Sequence, residues 1–163
     1  MLWTPLQRTY PKYQLHAKNV RMKLSKTTSV KAAFRSLFDE GAFPNREHAR
    51  DGCFCVNTMV ELAPHDAKFE VLTREHQLYL AAIFEETIAR GIAAGELGGS
   101  VDRRAIAQSL VTAFVGITVL KKSNPGPEWI GNALNRRCRC CPHPSVRSRN
   151  KRNTVHIVLC SFH

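Results

Sequence analysis

The sequence predicts an all-α fold, a bundle of four or five helices, and three observations point to it. Apolar residues recur at intervals of three and four through the region 27–134, the spacing that places side chains on one face of a helix. Residues that cap or stop helices divide this region into segments joined by short connections. No convincing strand pattern occurs in the same region. Helices with short connections are typical of a bundle.

The first two helices are short. Thr28 or Ser29 can cap the first, because a side-chain oxygen there accepts a hydrogen bond from a free backbone N–H. Its apolar residues are Val30, Ala33, Phe34, Leu37 and Phe38. We expect Gly41 to end this helix, since glycine readily adopts the left-handed conformation that follows a last turn. A second apolar helix is predicted at 53–63, where Pro64 stops it.

Two longer helices follow. Asp66 is a good N-cap for the first, which Gly95 is expected to stop. Its inward face holds Phe69, Leu72, His76, Tyr79, Leu80, Ile83, Thr87 and Gly91. Asp102 opens the next helix, whose inward residues are Ile106, Leu110, Ala113, Phe114 and Ile117. A fifth helix is predicted to begin near Pro127 and to continue to about Leu134.

The formal net charge of +11 is unevenly distributed. Residues 1–31 contain seven basic side chains and no acidic one, and residues 129–163 contain seven more, again without an acid. The segment between them has ten basic and thirteen acidic residues. The basic character therefore belongs to the two ends and not to the central helices.

We divide the chain accordingly into three parts. Residues 1–26 form a basic N-terminal segment with neither a sustained helical period nor an alternating one. Residues 27–134 form the folded helical domain. Residues 135–163 form a basic, cysteine-rich tail that is expected to be disordered. Both ends are thus predicted to be irregular.

Three separated motifs resemble a known family. Residues 52–66 read GCFCVNTMVELAPHD, residues 91–97 read GIAAGEL, and residues 102–116 read DRRAIAQSLVTAFVG. In this order and spacing they resemble the C-terminal, effector-binding domain of the TetR family of bacterial transcriptional regulators, in the branch that includes the AcrR-like repressors. The resemblance extends over about residues 27–134.

The resemblance implies a repressor whose C-terminal helices bind a small hydrophobic effector and form a homodimer. An N-terminal helix-turn-helix would read the operator DNA. No helix-turn-helix pattern is recognisable in residues 1–26, so we expect this chain to be mainly the part that senses the ligand and dimerises.

The sequence does not suggest an enzyme or a membrane protein. It contains no Gly-rich phosphate loop, no G-x-S-x-G and no H-E-x-x-H motif, and neither a cofactor nor a metal is expected in the central domain. The longest stretch without charge, 105–120, is short and partly polar and predicts a core helix. Because no secretory signal precedes the helices, the expected location is the cytoplasm.

Six residues are candidates for contact with a ligand. They are Cys53, Asn57, His76, Tyr79, Phe84 and Phe114. His76 and Tyr79 could orient a hydrophobic effector with their polar tips, although a histidine that is simply satisfied in the core is the commoner case. Asn57 needs partners in an apolar helix, and the two phenylalanines could line a cavity or merely fill the core.

Cys53 and Cys55 raise a separate hypothesis. A helix N-terminus lowers the pKa of a thiol and favours the reactive thiolate, so a redox or electrophile sensor is conceivable. Against it, cysteine is commonly a small buried hydrophobe. Two residues at i and i+2 also diverge by about 200° around a helix.

The tail offers an alternative function. The pattern Cys138-x2-Cys141-x14-His156-x3-Cys160 has ligand types that tetrahedral Zn²⁺ uses, but the interval lacks the apolar residues of a small finger core. The alternative protein would be a sequence-independent nucleic-acid binder acting through its basic ends, with or without zinc. A helical interaction module without a ligand is a third class, distinguished by the absence of an internal cavity.

Overall fold

Five helices and a short 3₁₀ turn make up the part of the chain that the structure, a computed structural model, describes: residues 5–42, 52–100 and 102–123, with residues 126 and 128. The elements are α1 (Pro5–Ser25), α2 (Val30–Ala42), α3 (Phe54–Glu61), α4 (Ala67–Ala93), α5 (Arg103–Leu120) and the turn Lys121–Ser123. None of these residues forms a strand. The predicted all-α bundle is confirmed.

The predicted caps open their helices. Ser29, Asp66 and Asp102 each precede a helix, and their side-chain oxygens accept hydrogen bonds of 3.3, 2.8 and 3.0 Å from the backbone N–H groups of Ala32, Lys68 and Ala105. The predicted ends are accurate to within about a turn. Helix α2 continues one residue past Gly41, and Gly95 adopts a φ of 73° just after α4.

The end of α4 is joined closely to the start of α2. The Glu96 carboxylate accepts hydrogen bonds from the Ser29 hydroxyl at 3.1 Å and from the Val30 N–H at 2.9 Å, so it caps α2 from a distant part of the chain. A Cβ added at Gly91 would lie 3.0 Å from a methyl group of Leu97 and 3.2 Å from the Val30 Cβ. The GIAAGEL motif therefore holds the end of α4 against the start of α2.

The N-terminal segment is not irregular, and that expectation is wrong for residues 5–25. Helix α1 spans 21 residues, and its buried side is formed by Thr9, Tyr13, Ala17, Val20 and Leu24. These residues are spaced by three and four, which is the helical period. The lysines and arginines of α1 lie on its other sides, where all but the partly buried Lys23 are exposed. A basic segment thus forms an amphipathic helix.

Helices α1, α2, α4 and α5 share the main core. Its fully buried side chains include Phe34, Phe84, Leu24, Ile83, Ile88 and Val30. Helix α5 contributes Ile106, Ala107, Leu110 and Val111. By length and composition alone, the segment Arg103–Ser123 could also cross a membrane, with a mean hydropathy of 1.3. In the structure, 33% of its apolar window is buried, and the helix packs against α2 and α4.

Three expectations concern residues outside the described part. Of the helix predicted to begin near Pro127, the structure describes only residue 128. The tail 135–163 lies wholly outside the described residues. The zinc pattern of Cys138, Cys141, His156 and Cys160 falls in that tail. These expectations stay predictions.

Candidate ligand-binding site

A groove of about 490 Å³ lies between α1 and α4. We call it the α1–α4 groove. Its lining side chains recur at helical spacing on both helices and include Tyr10, Tyr13, Ala17, Leu72, His76 and Tyr79. A second depression, of about 540 Å³, shares Tyr10, Leu72 and Glu75 with it. Small-molecule sites in proteins usually measure about 300–1,000 Å³, so the groove is large enough for an organic ligand.

The groove combines aromatic walls with a charged rim. Tyr10 and Tyr79 are 51% and 50% exposed, which leaves much of each ring free for contact. Lys18, Arg21 and Glu75 lie at the edge, and Arg21 also forms an exposed ion pair of 2.9 Å with Glu86 of α4. This composition suits a largely apolar molecule with a polar group at one end.

Tyr13, His16 and His76 form a polar cluster beneath the groove. The His16 Nδ1 and His76 Nε2 atoms are 3.1 Å apart, and the Tyr13 ring meets the His76 ring edge to face at 4.6 Å. Burial, followed by the nearby His16, lowers the pKa of His76 to about 4, so its imidazole is neutral at pH 7. Burial raises the pKa of Tyr13 to about 12, and its hydroxyl donates to the Cys55 carbonyl at 3.1 Å.

Cys53 and Cys55 adjoin this cluster from the start of α3. Cys53 is the N-cap, with an extended φ of −93°, so the divergence of about 200° expected of two helical positions does not apply. The two thiols interact. A hydrogen bond from the Cys55 thiol, with His16 nearby, lowers the pKa of Cys53, and the same bond, together with burial, raises the pKa of Cys55.

The structure brings together only some of the predicted residues. His76 and Tyr79 line the α1–α4 groove, while Cys53, Phe114 and again His76 line a smaller cavity beneath it. Phe84 is fully buried against Phe34 and Phe114 in the main core. Asn57 does not line the groove, and its Oδ1 accepts a hydrogen bond of 2.9 Å from Lys122. A role in ligand binding stays a prediction for all six.

The contribution of α1 to the site was not predicted from the sequence. Tyr10, Tyr13 and His16 supply one side of the groove and of the cluster below it. The spacing of Thr9, Tyr13 and Ala17 by four residues was the available signal.

Comparison with known proteins identifies the central region. Residues 30–130 match the family described as tetracyclin repressor-like, C-terminal domain. The match covers more than half of the chain and includes all of α2 to α5. The chain belongs to this family. It has no significant match among curated proteins or among solved structures.

Membership in the tetracyclin repressor-like family gives the domain its general role. Domains of this family are regulatory ligand-binding domains and are not enzymes. In this tetracyclin repressor-like chain, α1 precedes the matched range and still supplies buried core residues, among them Ala17, Val20 and Leu24.

Proposed function

We propose that the chain is the sensing part of a cytoplasmic bacterial repressor of the TetR type. A small hydrophobic molecule would bind in the α1–α4 groove and control DNA binding by the regulator. The observation that carries this proposal is the groove itself, which is of ligand size and has two half-exposed tyrosine rings on facing helices.

The groove suits an apolar effector for physical reasons. Tyr10, Tyr79 and Leu72 offer apolar surface that a ligand would remove from water, and burial of such surface supplies most of the free energy of binding. Tyrosine adds this area with few rotatable bonds, so little entropy is lost on contact. The charged rim residues Lys18 and Glu75 can then fix the orientation of a polar group.

The proposed mechanism is a shift between two populations of conformers. Helix α1 forms one wall of the groove and lies on the N-terminal side of the matched domain, where the family places its DNA reader. A ligand that binds more tightly to one position of α1 would shift the population toward that position. In a homodimer this would favour one separation of the two DNA-binding domains. If the separation of the two DNA-binding domains no longer matched successive major grooves, the regulator would dissociate from the operator.

A thermal-shift screen tests the ligand. We expect a small apolar aromatic compound to stabilise the chain by about 2.7 kcal/mol at a concentration of 100 times its Kd. Tyr79→Ala should weaken its binding at least about tenfold, since a buried aromatic contact is worth about 1.5–3 kcal/mol. The variant should unfold at nearly the same temperature without ligand, because Tyr79 is half exposed.

Leu78→Ala is the matched control for Tyr79→Ala. Leu78 is the neighbouring residue of α4, is 59% exposed and does not line the groove, so its loss should leave the Kd unchanged. If no apolar compound stabilises the chain, or if both variants bind equally well, the groove is not the effector site.

The DNA-binding behaviour of the chain is a separate expectation. Fluorescence anisotropy should show equal binding to the DNA upstream of its own gene and to scrambled DNA, and this binding should vanish at physiological salt. The reason is that basic side chains neutralise phosphates without reading the bases. A preference for the upstream duplex that survives added salt would show that one end of this chain forms a reader.

A further inference from the structure

The cavity beneath the α1–α4 groove differs from it in size and in lining. It measures about 20 Å³ and is surrounded by side chains of α1, α4, α5 and of α3 with its N-cap. One water molecule needs about 10–15 Å³, so the cavity admits a single small particle and excludes an organic effector. Its lining includes two imidazoles and two thiols, those of His16, His76, Cys53 and Cys55.

Three of these side chains hold their ligand atoms close together. The nitrogen and sulfur atoms of His16, Cys55 and His76 lie within 4.8 Å of one another, and the two nitrogens are only 3.1 Å apart. Ligand atoms on one tetrahedral Zn²⁺, with bonds of about 2.0–2.3 Å, are separated by roughly 3.3–3.8 Å. The two imidazole nitrogens are thus already near the separation of bound ligands, and no pair of the three ligand atoms is more than about 1 Å beyond it.

Cys53 supplies a fourth ligand of the right chemistry. Its side chain lines the same small cavity, but it lies outside the group of three residues whose ligand atoms are within 4.8 Å of one another. Its thiol would therefore have to move closer to complete the set. Neutral imidazole and thiolate are the forms that bind a metal, and two of each make a set that prefers borderline and soft ions over Mg²⁺ or Ca²⁺.

The surrounding residues hold two of the ligands in place. The Tyr13 hydroxyl binds the backbone carbonyl of Cys55, and the Tyr13 ring packs against the ring of His76. Such supporting contacts orient metal ligands before the ion arrives. The ligands also come from three helices or their caps, so an ion would tie α1, α3 and α4 together.

We propose that His16, Cys53, Cys55 and His76 form a binding site for a divalent transition-metal ion of the Zn²⁺ class. The site does not depend on the proposed repressor function, although Tyr13 and His76 line both the small cavity and the large groove. It is also distinct from the cysteine pattern of the tail, which contains none of these four residues.

Cobalt titration of the full chain tests the proposal. The four tail cysteines, Cys138, Cys140, Cys141 and Cys160, are first replaced by serine, so that the only thiols are the two at the cavity. We expect one equivalent of Co²⁺ to produce a thiolate-to-metal charge-transfer band and the visible bands of tetrahedral Co²⁺. One equivalent of Zn²⁺ should then abolish both. A folded chain that shows no such bands overturns the proposal.

Ligand variants locate the ion. Cys55→Ser and His76→Gln should each weaken Co²⁺ binding by at least about tenfold, because loss of even an outer-shell partner costs about 10–100-fold. His65→Gln is the matched control, since His65 is exposed and does not line the cavity, and this variant should bind Co²⁺ as before. Helix content from circular dichroism shows which variants are folded.

The Cys53→Ser variant guards against loss of the fold. Cys53 is only partly buried at a helix cap, so this variant should fold even if replacement of Cys55 does not. We expect its charge-transfer band to fall to about half, because one of two thiolates is lost. An unchanged band in Cys53→Ser, with unchanged affinity in His76→Gln, would refute the assignment.

Discussion

Phe84→Ala should lower the free energy of unfolding by about 3–5 kcal/mol, as is usual for the loss of a buried phenylalanine. Phe84 is fully buried in the main core. Its ring meets Phe34 edge to face at 5.2 Å and Phe114 at 6.4 Å, so removal leaves a cavity between three helices. Urea unfolding followed by circular dichroism measures the change. A marginal domain could lose its fold altogether.

Phe54→Ala is the matched control, since the same group is removed from a ring that is 40% exposed. Its cost should be at most about 1.5 kcal/mol. Phe84→Leu adds a functional readout because it keeps most of the volume and should stay folded. Phe84 lines neither the groove nor the small cavity, so the effector Kd should not change in Phe84→Leu. A tenfold weaker Kd would place Phe84 in the effector site.

Four of the five described helices could be predicted from the sequence because local chemistry determines them. Asp66 and Asp102 cap their own helices, and the apolar residues of α4 and α5 recur on one face. These interactions occur within a few residues and are visible in a window of sequence. The role of Glu96, which caps α2 from more than sixty residues away, could not be read from such a window.

The candidate site was only partly predictable for the same reason. His76 and Tyr79 were found because they lie on one side of a single periodic helix. Their neighbours Tyr10 and His16 belong to α1, and nothing in a periodic pattern shows which two helices will face each other. Periodicity also predicted an inward position for Tyr79, whereas its side chain lies beside the inward face and is half exposed.

Helix α1 was missed because its signal is weak. Its sequence contains several lysines and arginines, and Pro11 lies within it. Two of its buried residues, Thr9 and Ala17, are not strongly apolar. Packing against α2 and α4 stabilises this helix, and tertiary contacts of this kind commonly override local propensity.

Leu24→Ala should lower the free energy of unfolding by about 2–5 kcal/mol, the range for large-to-small changes in a core. Leu24 is 1% exposed and belongs to the main core with α2 and α4. Its backbone carbonyl also accepts a hydrogen bond of 2.6 Å from the Arg90 guanidinium, which fixes the end of α1 to α4. Thermal or urea unfolding of the purified variant measures the loss.

Leu15→Ala provides the comparison within the same helix. Leu15 is 58% exposed, and its replacement should change the free energy of unfolding by no more than about 0.5 kcal/mol. Equal, small effects of the two variants would mean that α1 does not pack on the domain. A large difference would place residues before the family match, which begins at residue 30, inside the folded unit. Helix α1 would then transmit any change in the groove directly to the core, because the helix that bears Tyr10 and Tyr13 also bears Leu24.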